Sequence, residues 1–360
     1  MSLADLPSLD NEGPVVSPFE FMPAWRFYLP LYSHILRLGI THGGLTTLTA
    51  ANPAIPGGGF VGEQKSQVMD LVTGTSRKLI APYARVLRSG EMQTTTIEQA
   101  MAGLGLSFPL VAKPDISCRG AGIRIARSIE DVGAYWDVFP DGAHFLLQEL
   151  VELEPEAGIF YLRDPATDQA EIFSLTLKYT PSVTGDGTSN LRQLVENDAR
   201  AALTAETYFQ KPSIDLARVP DAGERIKLSF AGNHCRGSVF RDGAAFITPE
   251  LTHAVDEIVR SMPSFHFGRF DVRFENLKQL KQGRGFRIIE INGVGSEATH
   301  IWDNRFVLKE ARSVLRQQFT HAYDYGSKMV ARGNKPLSLH STITMWWHER
   351  QLTKHYPVSE

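Results

Sequence analysis

Residues 267–292 constrain the fold of this chain most, because they contain two short runs in which apolar and polar residues alternate. The first run reads FGRFDVRF (267–274), the second reads FRIIEIN (286–292), and the stretch between them is rich in Glu, Asn, Lys, Gln and Gly. Successive side chains of a strand point to opposite faces, so Phe270, Val272 and Phe274 share a face that points into a core. The pattern predicts two strands joined as a hairpin.

The other face of each strand carries polar side chains that suit a metal site: Arg269, Asp271, Arg273, Glu290 and Asn292. Ile289 and Ile291 are expected on the apolar face. Two carboxylates and an amide oxygen suit Mg²⁺ or Mn²⁺ bound together with phosphates, because Mg²⁺ takes its remaining oxygens from substrate and water. The flanking arginines would neutralise a phosphorylated intermediate. A surface hairpin with salt-bridged strands explains the same residues, so both interpretations stay open at this point.

Length, charge and cysteine content limit the class of protein. A chain of 360 residues exceeds the usual size of one core, so two or three domains or one composite domain are expected. A net charge of −3 does not indicate the basic surface that nucleic-acid-binding proteins need. Cys118 and Cys235 lie far apart, which favours free thiols and a reducing, cytoplasmic compartment. The N-terminus shows no secretory signal pattern, and no run of 18 apolar residues occurs.

The aromatic stretch WRFYLPLYSHILRL (25–38) is the one candidate for contact with a membrane. It is too short and too charged to span a bilayer, although it has the composition of a segment that lies at a bilayer surface. Aromatic stripes at helical spacing are usually part of a core. We therefore favour a helix buried against an N-terminal domain over membrane contact.

A glycine cluster follows in ANPAIPGGGFVG (51–62), and it predicts a loop because three successive glycines hold neither a helix nor a strand cheaply. Helical spacing begins directly after it, over 63–73. The loop is either an anion site at a helix N-terminus or a tight structural turn. It matches neither a Walker A motif nor a dinucleotide-binding fingerprint.

The middle of the chain presents further lysines, acids and glycines in order. A strand at 108–114 ends near Lys113, and the loop after it contains Gly120 and Gly122, whose backbone amides would close over an anion. A buried strand at 145–151 carries Gln148 and Glu149, and a strand pair at 159–163 and 171–179 presents Lys178. Helices are predicted from Pro249 to residue 262 and over 305–323. The tail from Gly333, with Trp346 and Trp347, is expected to pack rather than to do chemistry.

Taken together, Lys78, Lys113, the glycine loop, Gln148-Glu149, Glu156, Lys178, Asp271, Glu290 and Asn292 form an ordered set that resembles the ATP-grasp superfamily. The motifs that carry the resemblance are VAKP (111–114), the glycine loop, TGDGTS (184–189) and EIN (290–292). It covers residues 75–300 and is closest to the carboxylate–amine ligases of the D-alanine:D-alanine ligase and cyanophycin synthetase kind. The resemblance implies an α/β ATP-grasp fold with α+β lobes. The expected divisions are a flexible lead-in (1–22), an N-terminal α/β domain (23–100), a first lobe (101–180), a second lobe with the metal site (181–325) and a tail (326–360).

The resemblance also implies roles for individual residues, with ATP and Mg²⁺ or Mn²⁺ as cofactors. Lys113 and Lys178 would bind the α- and β-phosphates, with Lys78 as a third lysine, and Gly120 and Gly122 would form the flap over the triphosphate. The nucleoside would meet Gln148, Glu149, the Leu150 backbone and Glu156. Asp271, Glu290 and Asn292 would hold two metal ions, and Arg269 would stabilise the oxyanion of the intermediate.

The acceptor side departs from the family pattern, because Asn292 is followed by Gly-Val-Gly-Ser-Glu instead of Pro-Gly. Arg236, in NHCRGS (233–238), would hold a substrate carboxylate with its two-pronged guanidinium, although a structural turn explains the same loop. Arg273 and His300 are second-rank candidates there, and for His300 a structural role is favoured.

The function implied is ATP-dependent ligation of a small-molecule carboxylate to an amine through an acyl phosphate. Such chemistry needs positioning and charge neutralisation by lysines, amides, metal ions and an arginine rather than a nucleophilic side chain. An ATP-grasp kinase acting on a hydroxyl is the nearest alternative. A nucleotide-responsive binding protein held at a membrane by residues 25–38 is the second. A homodimer is compatible with the sequence.

Overall fold

The computed structural model describes residues 6–9, 15–117, 120–211, 213–230 and 232–360. Within these ranges the smaller of two main sheets contains β1 (Tyr83–Leu87), β2 (Leu110–Pro114), β3 (Arg124–Ala126) and β4 (His144–Glu149). Its strand order is β1-β4-β2-β3, and every neighbouring pair is antiparallel.

The remaining strands are β5 (Glu156–Arg163), β6 (Ala170–Tyr179), β7 (Ser182–Thr184), β8 (Arg225–Lys227), β9 (Val239–Asp242), β10 (Phe267–Phe274) and β11 (Phe286–Asn292). The larger antiparallel sheet has the order β11-β10-β5-β6-β9, and β7 pairs with β8. The predicted α/β class with α+β lobes is confirmed, as a mixture of helices and antiparallel sheets. A parallel bridge between Ile80 and Ile288 joins the segment before β1 to an edge strand of the larger sheet.

The α-helices of the described residues are α1 (Ala24–Thr41), α2 (Lys65–Asp70), α3 (Thr94–Gly103), α4 (Ile129–Val138), α5 (Leu191–Asn197), α6 (Ala205–Phe209), α7 (Pro249–Arg260), α8 (Leu277–Lys281), α9 (Leu308–Ala331) and α10 (Leu339–Lys354). The helix predicted at 249–262 is α7, and its start follows from the sequence. Thr248 caps it by accepting from the Leu251 amide, and Pro249 occupies the first turn, where its missing N–H costs nothing.

The predicted hairpin is confirmed, since β10 and β11 pair antiparallel with the short helix α8 between them. Phe270, Val272 and Phe274 lie in the core as expected. The placement of Ile289 in the core is wrong. A β-bulge between Asp271 and Val272 shifts the register, so Ile288 and Ile291 are buried while Ile289 lines the cavity between the two sheets. A bulge adds one residue to one strand and so reverses the alternation beyond it.

Sheet pairing crosses the predicted domain boundaries, which remain predictions. β1, expected in an N-terminal domain, pairs with β4 of the expected first lobe. β5 and β6, expected in that same lobe, belong to the larger sheet with β10. The lead-in also differs from the expectation in its described part, because Phe19 is buried and Glu20 forms an ion pair with Arg200.

The aromatic stretch forms α1, but not as the buried helix we favoured. One face packs Phe27, Leu31 and Leu38 against the protein, and α1 contacts α9 rather than a separate N-terminal domain. The opposite face is exposed. Among the described residues, no helix has the length and apolar character needed to cross a bilayer.

Candidate active site

A cavity of about 620 Å³ lies between the two main sheets. β2 and β4 contribute Lys113, Gln148 and Glu149 to its wall, while the larger sheet contributes polar side chains from β5, β6, β10 and β11. Its volume is in the range of small-molecule sites. The strands therefore bring most of the predicted residues to one place.

The β10–β11 register places the predicted metal set side by side. Asp271 is opposite Glu290, and Arg269 is opposite Asn292. The Asn292 amide nitrogen lies 3.5 Å from Asp271 Oδ2, and all four residues line the cavity. The described residues contain no group of three His, Cys, Asp or Glu close enough to hold a metal alone. The hairpin supplies two carboxylates and an amide, so a bound Mg²⁺ would need further oxygens from phosphate and water.

Asp271 is held by two cations. Lys178 Nζ donates to Oδ1 at 2.8 Å, while Arg269 donates through Nε to Oδ1 at 3.1 Å and through Nη2 to Oδ2 at 3.0 Å. Burial alone would raise the pKa of Asp271, but Arg269 and Lys178 outweigh burial and lower it to about 2. The carboxylate is therefore ionised at neutral pH.

Lys178 also donates to Glu156 Oε1 at 2.8 Å, so it lies between two carboxylates. Burial opposes its charge, yet Asp271 and Glu156 raise its pKa above the ordinary value. Glu156 was expected to accept from a ribose. In the structure its carboxylate is engaged by Lys178, with Arg273 Nε 4.0 Å away.

Lys113 reaches across the cavity from the smaller sheet and donates to the Ile289 carbonyl on β11 at 2.9 Å. Its burial lowers its pKa to about 8, and the nearby Lys65 acts in the same direction. This contact places one predicted phosphate-binding lysine beside β11, the strand that carries two of the predicted metal ligands.

The structure places Lys78, the third lysine predicted to bind phosphate, away from the cavity. Lys78 lies in a short 3-10 helix (Gly74–Leu79), is exposed, and does not line the cavity. Lys65, at the start of α2, occupies the cavity instead. It is 4% exposed, donates to the Ser117 carbonyl at 2.7 Å, and its Nζ lies 3.6 Å from Glu290. Its position directly after the glycine cluster is a signal that sequence reasoning missed.

Of the residues predicted to meet the nucleoside, some line the cavity and one does not. Gln148 and Glu149 line the cavity, and Glu149 forms an ion pair with Arg287 at 2.7 Å. Leu150 is not part of the wall, although Val151 is. In the flap, Gly120 lines the cavity and Gly122 packs on Pro114 instead. Cys118, predicted to be a free thiol, lies outside the described residues, whereas Cys235 is exposed and forms no disulfide within the described residues.

Backbone hydrogen bonds join the glycine cluster to the segment that follows β11. The Val294 amide donates to the Gly58 carbonyl at 2.9 Å, and the Gly295 amide to the Gly59 carbonyl at 2.8 Å. A Cβ at Gly59 would lie 1.9 Å from Glu63 Oε2 and 2.9 Å from the Gly293 Cα. These contacts favour the tight structural turn over an anion site.

Glu63 is a second cavity residue that sequence reasoning missed. Its Oε2 accepts from the Gly293 amide at 2.7 Å. Burial raises its pKa to about 8. A buried carboxyl group that favours its protonated form therefore lies directly beside the turn that leaves β11.

The far end of the cavity is aromatic. Tyr28 and Trp302 donate to the two oxygens of Glu297 at 2.7 and 2.9 Å. The His234 ring stacks on Trp302 with centroids 4.7 Å apart. Burial alone would lower the pKa of His234, but hydrogen bonds with Cys235 and Glu20 raise it to about 9.

Of the remaining residues predicted to bind the acceptor substrate, Arg273 lines the cavity, whereas Arg236 and His300 do not. Arg236 does not line the cavity, so the structure does not place it where a bound substrate carboxylate would be held, and its carbonyl accepts from Tyr208. Its neighbours His234 and Cys235 do line it. Arg273 lines the cavity and donates to the Val151 carbonyl at 2.8 Å. His300 is buried outside the wall, as favoured for a structural histidine.

Comparison with solved structures gives similarity to a bifunctional glutathione synthetase from Pasteurella multocida (17% identity, TM-score 0.35, covering 71% of this chain and 38% of that chain). It also gives similarity to the VanG D-Ala:D-Ser ligase from Enterococcus faecalis (12% identity, TM-score 0.38, 72% and 62%) and to the D-alanine–D-alanine ligase from Bacillus anthracis (11% identity, TM-score 0.37, 75% and 70%). No family model matches the chain, and no curated protein sequence matches it.

These neighbours are ligases of the kind that the sequence motifs resemble. The chain spans less than two thirds of the length of the first two of them. Each of these three TM-scores is below 0.5.

Proposed function

We propose that this chain is an ATP- and Mg²⁺-dependent ligase that joins a small-molecule carboxylate to an amine through an acyl phosphate, releasing ADP and phosphate. The observation that carries the proposal is the cavity that Lys65, Lys113 and Lys178 share with the carboxylates of β10 and β11. Lys178 pairs with Glu156 and Asp271, whereas Lys113 donates to the Ile289 carbonyl. A buried lysine is costly unless it meets negative charge, and a triphosphate would supply that charge to Lys113.

Each protein group has an assignable part. Lys65, Lys113 and Lys178 would hold phosphate oxygens, and the backbone around Gly120 would close over them. Gln148 and Glu149 would meet the nucleoside. Asp271, Glu290 and Asn292 carry hard oxygens that would hold Mg²⁺, with Asp271 giving up part of its contact with Lys178 and Arg269. Bound there, Mg²⁺ would neutralise phosphate charge.

The reaction requires positioning more than a nucleophilic side chain. A substrate carboxylate oxygen would attack the γ-phosphorus, and the bond to ADP would break. The amine would then attack the acyl carbon, phosphate would leave, and the amine would lose a proton. Arg269, which donates to Asp271 and to the Glu297 carbonyl at 3.0 Å, would stabilise the oxyanion at the acyl carbon.

The aromatic end of the cavity would receive the amine. The carboxylate of Glu297 lies there and accepts from Tyr28 and Trp302, and Arg236 stands outside the wall. A carboxylate beside aromatic faces attracts a cationic group. The His234 ring lines the same end and is paired with Glu20.

ADP release from the purified chain with Mg²⁺-ATP, measured against acids and amines singly and in pairs with mass detection, tests the proposal. A product equal to acid plus amine minus water is expected. An acid-dependent hydroxamate formed with hydroxylamine would show the acyl phosphate. A phosphorylated product without an amine requirement would instead indicate a kinase. Nucleotide binding without any turnover across the panel would favour the binding-protein alternative.

A further inference from the structure

The outer face of α1 carries an uninterrupted stripe of large apolar side chains. Their exposed fractions are Trp25 65%, Leu29 57%, Tyr32 57%, Leu36 53% and Ile40 75%. Their spacing of four, three, four and four residues keeps them on one side of the helix. At 1.5 Å per residue the stripe is roughly 22 Å long.

The inner face of the same helix is already packed. Phe27 stacks on Phe19 with ring centroids 5.7 Å apart, and Leu31 and Leu38 are buried. A helix that is apolar on both faces is normally covered on both. Contiguous exposed apolar surface of this kind marks an interaction site rather than ordinary scatter.

The charges around the stripe are basic. Arg26 and Arg37 are exposed on α1, and the sequence of α1 contains no acidic residue. Arg316 is exposed on the adjacent α9, whose Arg312 donates to the Arg26 and Phe27 carbonyls. His34 Nε2 lies 3.2 Å from the Arg316 carbonyl, and burial together with the guanidiniums of Arg37 and Arg316 lowers the pKa of this ring. This contrasts with the net charge of −3 of the whole chain.

We propose that the outer face of α1 lies on the surface of an anionic lipid bilayer, with the apolar stripe at the acyl boundary and the arginines at the headgroups. An apolar helix face with flanking basic residues is the pattern of interfacial helices, and Trp and Tyr favour the boundary between hydrocarbon and water. Juxtaposed basic residues add attraction to anionic lipids. The helix lies on the bilayer rather than across it.

A second copy of the chain fits this face less well. Two α1 helices packed face to face would bring the arginines of both copies together without an acid on either helix to pair them. The same helix also presents Tyr28 to the cavity, so bilayer contact would hold the acceptor end of the cavity close to the membrane surface.

Co-sedimentation of the full chain with vesicles tests the proposal. Vesicles of phosphatidylcholine with phosphatidylglycerol in equal parts are expected to carry the protein into the pellet, and pure phosphatidylcholine vesicles are expected to carry much less. Raised salt should weaken the first interaction. Leu29→Gln combined with Leu36→Gln should lower partitioning by roughly tenfold or more, since two leucines that the bilayer would bury are lost.

The matched control is Leu339→Gln combined with Ile343→Gln, which changes two similarly exposed apolar residues on α10. It should sediment like the unmodified chain. Arg26→Glu with Arg37→Glu should remove the dependence on phosphatidylglycerol. Thermal unfolding of each variant must stay close to that of the parent.

Three results would overturn the proposal. One is an unmodified chain that stays in the supernatant with anionic vesicles. Another is equal loss of sedimentation in the α10 control. The last is a lipid-free dimer, seen by light scattering, that the α1 variant converts to a monomer, because a second copy would then be the occupant of this face.

Discussion

Lys178 shows how single residues in this cavity depend on one another. Its ammonium lies 2.8 Å from Glu156 and 2.8 Å from Asp271, and Asp271 also forms an ion pair with Arg269. Removing one member of such a buried network leaves its partner charged and unpaired, which costs far more than a surface pair is worth. Substitutions inside the network therefore mix effects on folding with effects on catalysis, so residues at its edge are better probes.

Glu290 is one such edge residue, since its closest cation is Lys65 at 3.6 Å. Glu290→Gln should lower turnover at least about a hundredfold, because a charged carboxylate ligand for the metal becomes a neutral, weaker amide, while the thermal midpoint stays within a few degrees. ADP release and thermal unfolding measure the two effects. Glu275→Gln, an exposed acid in the same hairpin, is the control. Full activity in Glu290→Gln would contradict the metal assignment.

Lys65 and Lys78 give a direct comparison of a cavity lysine with an exposed one. Lys65→Met should lower kcat/KM for ATP by roughly tenfold to a thousandfold, because a buried cation facing the predicted phosphate site is lost. Lys78→Met, at the exposed position that the sequence favoured, should leave kcat/KM close to that of the parent chain. Steady-state kinetics with varied ATP compares the two. The reverse order of effects would restore Lys78 as the third lysine.

His234 predicts a pH dependence of stability. Its pKa rises from 6.5 to about 9 in the folded chain. A raised folded-state pKa means that the stabilisation is fully present below pH 6.5 and is lost as the pH rises through about 9. The difference in free energy of unfolding between the parent and His234→Gln should therefore shrink between these values. A difference that grows with pH would show that the imidazolium pair with Glu20 does not form.

At the scale of elements, the turn over Pro56–Gly59 determines how the segment after β11 leaves the sheet. Gly59 has φ +75° and lies against both Glu63 and Gly293. Gly74 has φ +60°, but among the described residues no atom would lie within 4 Å of an added Cβ. The two positions therefore separate backbone strain from close packing.

Gly59→Ala should destabilise the chain clearly more than Gly74→Ala, for which backbone strain alone predicts about 1 kcal/mol. Urea unfolding of both variants measures the difference. Gly59→Ala should also lower activity, because the Gly293 segment beside Asn292 must shift. Equal destabilisation would mean that these contacts relax without cost.

At the scale of the whole molecule, the cavity joins two sheets, so a ligand that contacts both should stabilise the fold. Mg²⁺-ATP should raise the thermal midpoint in a concentration-dependent way, because binding to the native state alone adds RT ln(1 + [L]/Kd). Chelation of Mg²⁺ with EDTA should reverse most of that shift and stop ADP release. A midpoint that does not respond to Mg²⁺-ATP would contradict a nucleotide site between the sheets.

How much the sequence predicted differs from element to element. The β10–β11 hairpin follows from alternation and a polar connection, and α7 follows from its cap and proline, because these signals are local. The bulge that turns Ile289 into the cavity has no such local signal. Lys65 was missed for a related reason, since its role depends on where α2 lies relative to Glu290.

The sequence by itself determined the β10–β11 hairpin, the start of α7 and the order of lysines, acids and glycines, because periodicity and capping are properties of neighbouring residues. Only the tertiary structure decided which lysine lies in the cavity, that Arg236 stands outside it, and that one face of α1 is left uncovered. These outcomes depend on contacts between residues far apart in the chain, such as Gly59 with Gly293 and Lys113 with Ile289. Local pattern carries no information about such contacts.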